Sequence, residues 1–299
     1  MEKLNTSVFL KTVETGSFNR TADILGYTQA GVSYIISSME EEFGIKLFIR
    51  EYGGVRLTPE GQQLLPLIKQ ISDGERFLRE AINDIRDLRT GTVRVSAFYS
   101  VSIFWLPGII RKFHDKYPNV EVEIVICDVD KDNERLIYER EVDCGFLSDD
   151  PVLNIEAFDL MEESFMIALP TDHPYADKKK FPISEVRNYP YIKMSYDRPD
   201  SDIFETLFSG GAKPRTAFTA DNDFAAMAMV SQGLGICIFP QLLVKEPLFP
   251  IRCLPFDPPF NRTIRLGTRA VNDCTFAARE FIKCAREWIG ENDFDLPTS

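Results

Sequence analysis

Apolar residues at Leu4, Val8, Phe9 and Val13 fall at helical spacing and stop at Gly16. Ser17 then offers an N-cap for a short helix, FNRTADILG, closed by Gly26. Thr28 offers the next, for QAGVSYIISSMEEEFG, closed by Gly44. Two helices joined by a short turn around a glycine predict a helix-turn-helix. The following IKLFIREYGGVRLT has two short apolar strands flanking Gly53-Gly54, the pattern of a hairpin, here a wing.

In the third helix Val32, Ile36, Met39 and Phe43 form the core stripe. The opposite face near its start carries Thr28, Gln29, Ala30, Ser33, Tyr34 and Ser37, small or hydrogen-bonding groups suited to base edges in a major groove. Taken alone, such a face also suits plain solvation. Glu40, Glu41 and Glu42 lie at the far end of the helix, where they would not repel phosphate.

Thr58-Pro59 starts a second segment as N-cap and first helical residue. A helix is expected up to Leu88, with Leu64, Ile71, Leu78 and Ile85 seven apart and Leu67, Gly74, Ala81 and Leu88 three residues later. Pro66 either kinks this helix or delays its start. Because Arg76, Arg79, Glu80 and Asp84 keep the flanks polar, the stripe reads as a dimerisation seam rather than a core helix. From residue 92 apolar strands alternate with helical stretches, which predicts an α/β fold with mostly parallel sheets. Ligands of such folds sit at strand carboxyl ends. That rule singles out Ser100 and Ser102 after the first strand, Phe146 and Ser148 after another, Ser195 after a third, and Thr219 after TAFTA. Each serine taken singly also fits a simple helix cap.

Composition narrows the function. The 299 residues are 44% hydrophobic and 27% charged, ordinary globular values with room for two or three domains. Net charge is −12, of which residues 1–61 carry −2 and residues 92–299 carry −10. A broad basic nucleic-acid surface is excluded, so DNA recognition must rest on geometry and a few cations, for which Arg50 and Arg56 in the wing are the candidates. The six cysteines form no CxxC and lie near no histidine, so a zinc site is not expected and they read as mostly buried thiols. No GxGxxG follows the first strand and no GxxxxGK[ST] occurs, so no nucleotide cofactor is expected. No apolar run is long enough for a membrane span, and the N-terminus has no signal-peptide pattern, which together predict a cytoplasmic protein.

Residues 12–61 resemble the DNA-binding domain of LysR-type transcriptional regulators. The likeness rests on Gly16, Ser17, Phe18, Ala22, Leu25, Gln29, Val32, Ser33, Ile36, Glu40, Gly44, Leu47-Phe48, Arg50, Leu57-Thr58 and Gly61 at matching spacing. LPGIIRKFHDKYPNVEVEI, EREVDCGFL and MVSQGLGICIFP resemble further stretches of the same family. The resemblance implies an α+β multidomain chain: an all-α winged helix-turn-helix (1–61), a linker helix (62–91) and a two-lobed α/β periplasmic-binding-protein-like domain (92–299). Its lobe one would span 92–161 and 267–291 and its lobe two 166–262, joined by two crossing strands. It implies a bacterial regulator, not an enzyme, that binds promoter double-stranded DNA as a homodimer or homotetramer. Its further partners would be RNA polymerase and a small-molecule effector in the interlobe cleft. DNA contacts would come from Ser17, Thr28, Gln29, Ala30, Ser33, Tyr34, Ser37, Arg50 and Arg56. Effector contacts would come from Ser100, Ser102, Phe146, Ser148, Ser195, Thr219 and the Gly233–Gly235 turn.

The chain departs from the family pattern at Thr21-Ala22, at Ala30-Gly31, at Tyr34 where arginine is frequent, at Gly53-Gly54 where basic residues are common, and at Glu141. Tyr34 removes a phosphate or guanine contact and Gly53-Gly54 removes basic wing residues, which with the net −2 of the domain predicts weak non-specific DNA binding; Thr21-Ala22 is a small packing change, Ala30-Gly31 loosens the helix start, and Glu141 carries no reading. Two other function classes compete: a thiol enzyme using Cys144 or Cys237, and a plain solute-binding protein. The first needs a base or helix N-terminus beside a strand cysteine. The second does not account for the N-terminal helices.

Overall fold

The computed structural model describes residues 4–85, 90–148, 150–194 and 214–292. They fall into two compact units, taken in turn.

The first unit holds α1 (Thr6–Thr15), α2 (Phe18–Leu25), α3 (Gln29–Phe43), β1 (Phe48–Glu51), β2 (Gly54–Leu57) and α4 (Pro59–Ile85). Asn5, Ser17 and Thr28 cap the first three helices through their side chains, and Gly16, Gly26 and Gly44 end them in the left-handed region. The α3 stripe buries Val32, Ile36 and Met39 against Val8, Phe9 and Leu47. Phe48 stacks its ring 5.3 Å from Phe9 and 6.0 Å from Phe18, tying the wing strand to α1 and α2. The wing also docks through its main chain: Val55 N–H donates to the Gly16 carbonyl at 2.8 Å. A Cβ on Gly54 would overlap that same carbonyl, so only glycine fits there.

Helix α4 is continuous through Pro66, which is exposed and frees the carbonyl of Gln62, itself exposed. At 27 residues it is about 40 Å long. Its first turns belong to the core, with Ile68 buried and Leu64 and Leu65 packed beside it. Further along, Leu67 (53%), Leu78 (61%) and Ile82 (44%) stand exposed on one face. The side chains of Ala81 and Ile85, and the whole of Leu88, lie outside what is described.

The second unit is built on one eight-stranded sheet, ordered β4-β3-β5-β12-β6-β11-β7, with β10 also on β6. Its strands are β3 (Gly91–Ala97), β4 (Val120–Ile126), β5 (Cys144–Leu147), β6 (Glu156–Pro170), β7 (Phe181–Pro182), β10 (Cys237–Pro240), β11 (Ile251–Asp257) and β12 (Asn261–Thr268). β8 (Pro190–Met194) and β9 (Arg215–Ala220) pair separately. The helices are α5 (Tyr99–Phe104), α6 (Leu106–Lys116), α7 (Asp130–Tyr138), α8 (Asp223–Ser231), α9 (Gln241–Val244) and α10 (Phe276–Glu291).

β6 and β12 are the two crossing strands. Over Glu156–Ser164 the long β6 pairs antiparallel with β12, and from Phe165 on it pairs with β10 and β11. The sheet is therefore mixed and not mostly parallel: β3–β4, β3–β5 and β11–β7 run parallel, while every pair involving β6 is antiparallel. On one side of the crossing, Trp105, Phe113, Phe146 and Phe281 fill a core under α6 and α10. On the other, Phe181, Tyr191 and Phe256 form a second, and Met194, Met227 and Phe239 a third. β11 carries a proline inside the strand, Pro255, opposite Met166 of β6.

Candidate DNA-reading surface and effector cleft

On the first unit Gln29 and Ala30 are exposed in the opening turn of α3, and Tyr34 stands 73% exposed one turn on. Ser33 and Ser37 are half-buried on the same helix. Thr28 and Ser17 are committed as caps, accepting from the N–H groups of Gly31 at 3.1 Å and Arg20 at 3.4 Å. From β1, Arg50 reaches across to donate to the Ser33 hydroxyl at 2.9 Å, its guanidinium 5.6 Å from the Phe18 ring. The reading helix and a wing cation thus share one surface. Arg56 is held by Glu51 on the neighbouring strand, so it can meet a phosphate only by giving up that pair.

Glu40 was expected only to stay away from DNA; its carboxylate is in fact buried and organises the wing. It accepts from the N–H groups of Leu47 at 2.8 Å and Phe48 at 3.2 Å and pairs with Lys46 at 2.5 Å. Burial alone would raise its pKa, but the hydrogen bonds from Lys46, Leu47 and Phe48 outweigh it, and the net shift is downward. Sequence offered no sign of this, because the partners lie seven and eight residues away, beyond one helix turn.

In the second unit the strand-end residues divide. Phe146 is fully buried, its ring 6.2 Å from Trp105, so it belongs to the core and not to a cleft wall. Ser148 is buried with its N–H and hydroxyl both donated to Asp130. Ser195 lies outside the described residues. Gly233 ends α8 in the left-handed region, and Gly235 is pressed against the Pro190 carbonyl, where a Cβ would not fit. Thr219 is exposed on β9.

Around α5 the Tyr99 N–H and both serine hydroxyls are engaged. Tyr99 N–H donates to the Asp128 carboxylate at 2.7 Å, and the Ser102 hydroxyl donates to the Tyr99 carbonyl at 2.7 Å. Burial pushes the Asp128 pKa up, against the opposing pull of the Tyr99 N–H and the Arg262 charge. Ser100 is 2% exposed and accepts from Arg262 at 3.2 Å. The Tyr99 ring meets Phe224 at the start of α8, edge to face at 5.9 Å. That pair carries the contact from the β3–β5 side of the sheet to the side holding α8.

Arg262, absent from the sequence reading, is the hub of this region. It and Glu163 face each other across β12 and β6. Its Nε and Nη2 donate to Glu163 Oε2 at 2.8 and 2.6 Å, and its guanidinium lies 4.3 Å from the Phe98 ring and 5.4 Å from Phe165. Glu163 Oε1 accepts from Leu242 N–H in α9 at 2.7 Å. No residue type flags such a pair in advance, since the register that joins Arg262 to Glu163 spans 99 residues of sequence. Asp128 was accessible to the strand-end rule that found Ser100, because it lies two residues beyond β4.

The arrangement of a winged helix-turn-helix and a sheet crossed by two long strands has counterparts among known proteins. A family description, the LysR substrate binding domain, matches residues 86–290, and a second, the bacterial regulatory helix-turn-helix protein of the lysR family, matches residues 5–62. The chain belongs to the LysR family. It is a helix-turn-helix DNA-binding transcriptional regulator with an effector-binding domain, and its relatives are regulators rather than enzymes. A regulator from Bacillus subtilis, YvbU, is 30% identical over 95% of this chain and 97% of its own. Full-length OxyR from Pseudomonas aeruginosa, in a variant form, superposes with a TM-score of 0.72 at 20% identity, covering 95% of this chain and 93% of that one. CbnR in complex with its target DNA gives 0.68 at 18% identity, over 96% and 100%. Among the described residues no helix is long and apolar enough to cross a membrane, and no cluster of metal-ligating side chains is present.

None of the six cysteines is in a disulfide, and burial pushes those at 127, 144, 253, 274 and 284 up, Cys253 to about 12. Cys144, in particular, is fully buried and raised well above its ordinary value, the opposite of what a nucleophile requires.

Proposed function

We propose that this regulator reads promoter double-stranded DNA as a homodimer. Gln29 addresses a base edge in the major groove, and Arg50 holds the adjacent phosphate. The observation that supports this reading is the Arg50–Ser33 hydrogen bond, which sets a cation on the same surface as the exposed start of α3. The dimer forms through the exposed face of α4 carrying Leu67, Leu78 and Ile82. A small-molecule effector binds between the lobes, beside Tyr99, Ser102, Thr219 and Phe224, and shifts the regulator between two states by binding one of them better.

Gel-shift titration on a cognate operator tests the DNA reading. Gln29→Ala costs about 1–3 kcal/mol on the cognate site and relaxes its sequence preference. Arg50→Gln weakens all DNA alike and lowers the salt slope by about one per subunit. A Gln29→Ala protein with unchanged discrimination between cognate and mutated operator overturns the assignment.

A further inference from the structure

Helix α10 packs one side into the core and leaves a groove along the other, against the first half of β6. Its volume is about 620 Å³, within the range of small-molecule sites. Phe158 and Leu160 from β6 and Ile282 and Ile289 from α10 give it an apolar floor. Its rim carries Arg279, Lys283 and Arg286, all exposed. Arg279 and Arg286 are seven apart, as are Ile282 and Ile289, so each row runs about 10 Å along the helix.

The electrostatics of this groove run against those of its domain. Residues 92–299 carry 33 acids and 23 bases. Two of the acids, Asp159 and Glu287, border the groove, but each is already paired with a cation from outside it. Arg265 holds Asp159 at 2.7 Å, and Lys112 and Lys116 hold Glu287 at 3.4 and 3.3 Å. Among the described residues no carboxylate pairs with Arg279 or Lys283, and Arg286 stacks 4.6 Å over the Phe158 ring. Among the described residues, two cations with no carboxylate partner and a third stacked on Phe158 therefore flank an apolar trough on an otherwise acidic domain. Like charges gathered in this way repel one another unless an anion joins them.

We propose that this groove is a second small-molecule site, sharing no residue with the interlobe cleft, for an apolar compound that carries a carboxylate. The apolar body lies on Phe158, Leu160, Ile282 and Ile289. The carboxylate is taken by the Arg279 and Lys283 end of the rim, where the planar guanidinium can bind both oxygens.

The full-length protein with labelled isoleucine methyls is titrated with decanoate and with 2-naphthoate, an aliphatic and an aromatic acid, while methyl spectra are recorded. Saturable shifts at Ile282 and Ile289 are expected with at least one acid, with a Kd below about 1 mM. Decanol and 2-naphthol, which keep the body and lose the charge, should bind about tenfold more weakly or worse. The double variant Arg279→Glu/Lys283→Glu should lose the same factor while keeping its melting temperature and its operator gel shift. Tyr99→Ala, in the interlobe cleft, should leave the titration unchanged. No saturable shift with either acid overturns the proposal. So does equal binding of acid and alcohol, or binding that survives the charge reversal, either of which marks an unselective apolar surface.

Discussion

Replacing Glu163 by Gln tests whether the Arg262–Glu163 pair holds the crossing strands together. Both side chains are out of water, Glu163 fully and Arg262 to 8% exposure. Gln keeps an oxygen for the Leu242 N–H, and it keeps the volume. What it removes is the charge that compensates Arg262, leaving a guanidinium buried among Phe98, Phe165 and the Ser100 hydroxyl. Breaking a buried pair from one side costs about 3–5 kcal/mol. For a unit of this size each kcal/mol shifts the melting temperature by about 2–4 °C, so the loss should be roughly 6–20 °C. The double variant Glu163→Gln/Arg262→Met removes the orphaned charge and lays a thioether against the same two rings. It should recover more than half of the loss, which corresponds to a coupling of about 2 kcal/mol or more between the two positions. The assay is calorimetric melting of wild type, both single variants and the double, with circular dichroism to check the fold. A Glu163→Gln protein within about 1 kcal/mol of wild type, or a double variant that simply adds the two losses, would refute the reasoning.

Three further outcomes are expected. Leu78→Glu puts a charge in the middle of the exposed α4 face and should give monomers by analytical ultracentrifugation, with operator affinity reduced about tenfold or more; an unchanged dimer peak places the interface elsewhere. Glu40→Gln should destabilise the winged domain by about 1–3 kcal/mol at neutral pH. The folded-state pKa of Glu40 is lowered, so its stabilisation is complete above the ordinary value of 4.5 and is lost as pH falls through the folded value; a gap between wild type and variant that does not narrow in acid contradicts this. Ser100→Val takes an acceptor from Arg262 and should lower the melting temperature of the effector domain by about 1 kcal/mol equivalent, with gel shifts unchanged; an unaltered melt would show that the Ser100 hydroxyl carries no weight there.

How much of this was legible in the sequence depends on the range of the interaction. Helix α3, its caps and the wing were legible because each depends on residues close in sequence: Thr28 caps α3 through Gly31, and a glycine turn closes the hairpin, although it falls on Tyr52-Gly53 rather than on Gly53-Gly54, since Gly54 already pairs with Glu51 in β2. The helix α4 was legible for the same reason, although Leu64, read as part of a seam, packs with Ile68 in the helix-turn-helix core. The effector region was less legible. Strand-end reasoning found Ser100 and Ser102 but could not tell that their polar groups were taken by Arg262 and by the Tyr99 carbonyl. It also chose Phe146 and Ser148, which are buried, because β5 is covered on both faces and alternation along the strand gives no sign of that. Arg262, Glu163 and Asp128 act through contacts 29 to 162 residues apart, and no local pattern encodes those.

The contact between Gly54 and the Gly16 carbonyl has a consequence for how this regulator can change its target. Beside the Phe48 ring and the Glu40 carboxylate at its base, the wing is fixed by main chain meeting main chain, with the Val55 N–H as its bolt, and none of the side chains at its tip takes part. Tyr52 at that tip is wholly exposed and touches nothing that positions the hairpin. Substitutions at the tip therefore alter what is offered to DNA while leaving where it is offered untouched. The wing behaves as an interchangeable cassette, open to drift in sequence at constant geometry, whereas any side chain at position 54 would dislodge the whole reading head at once.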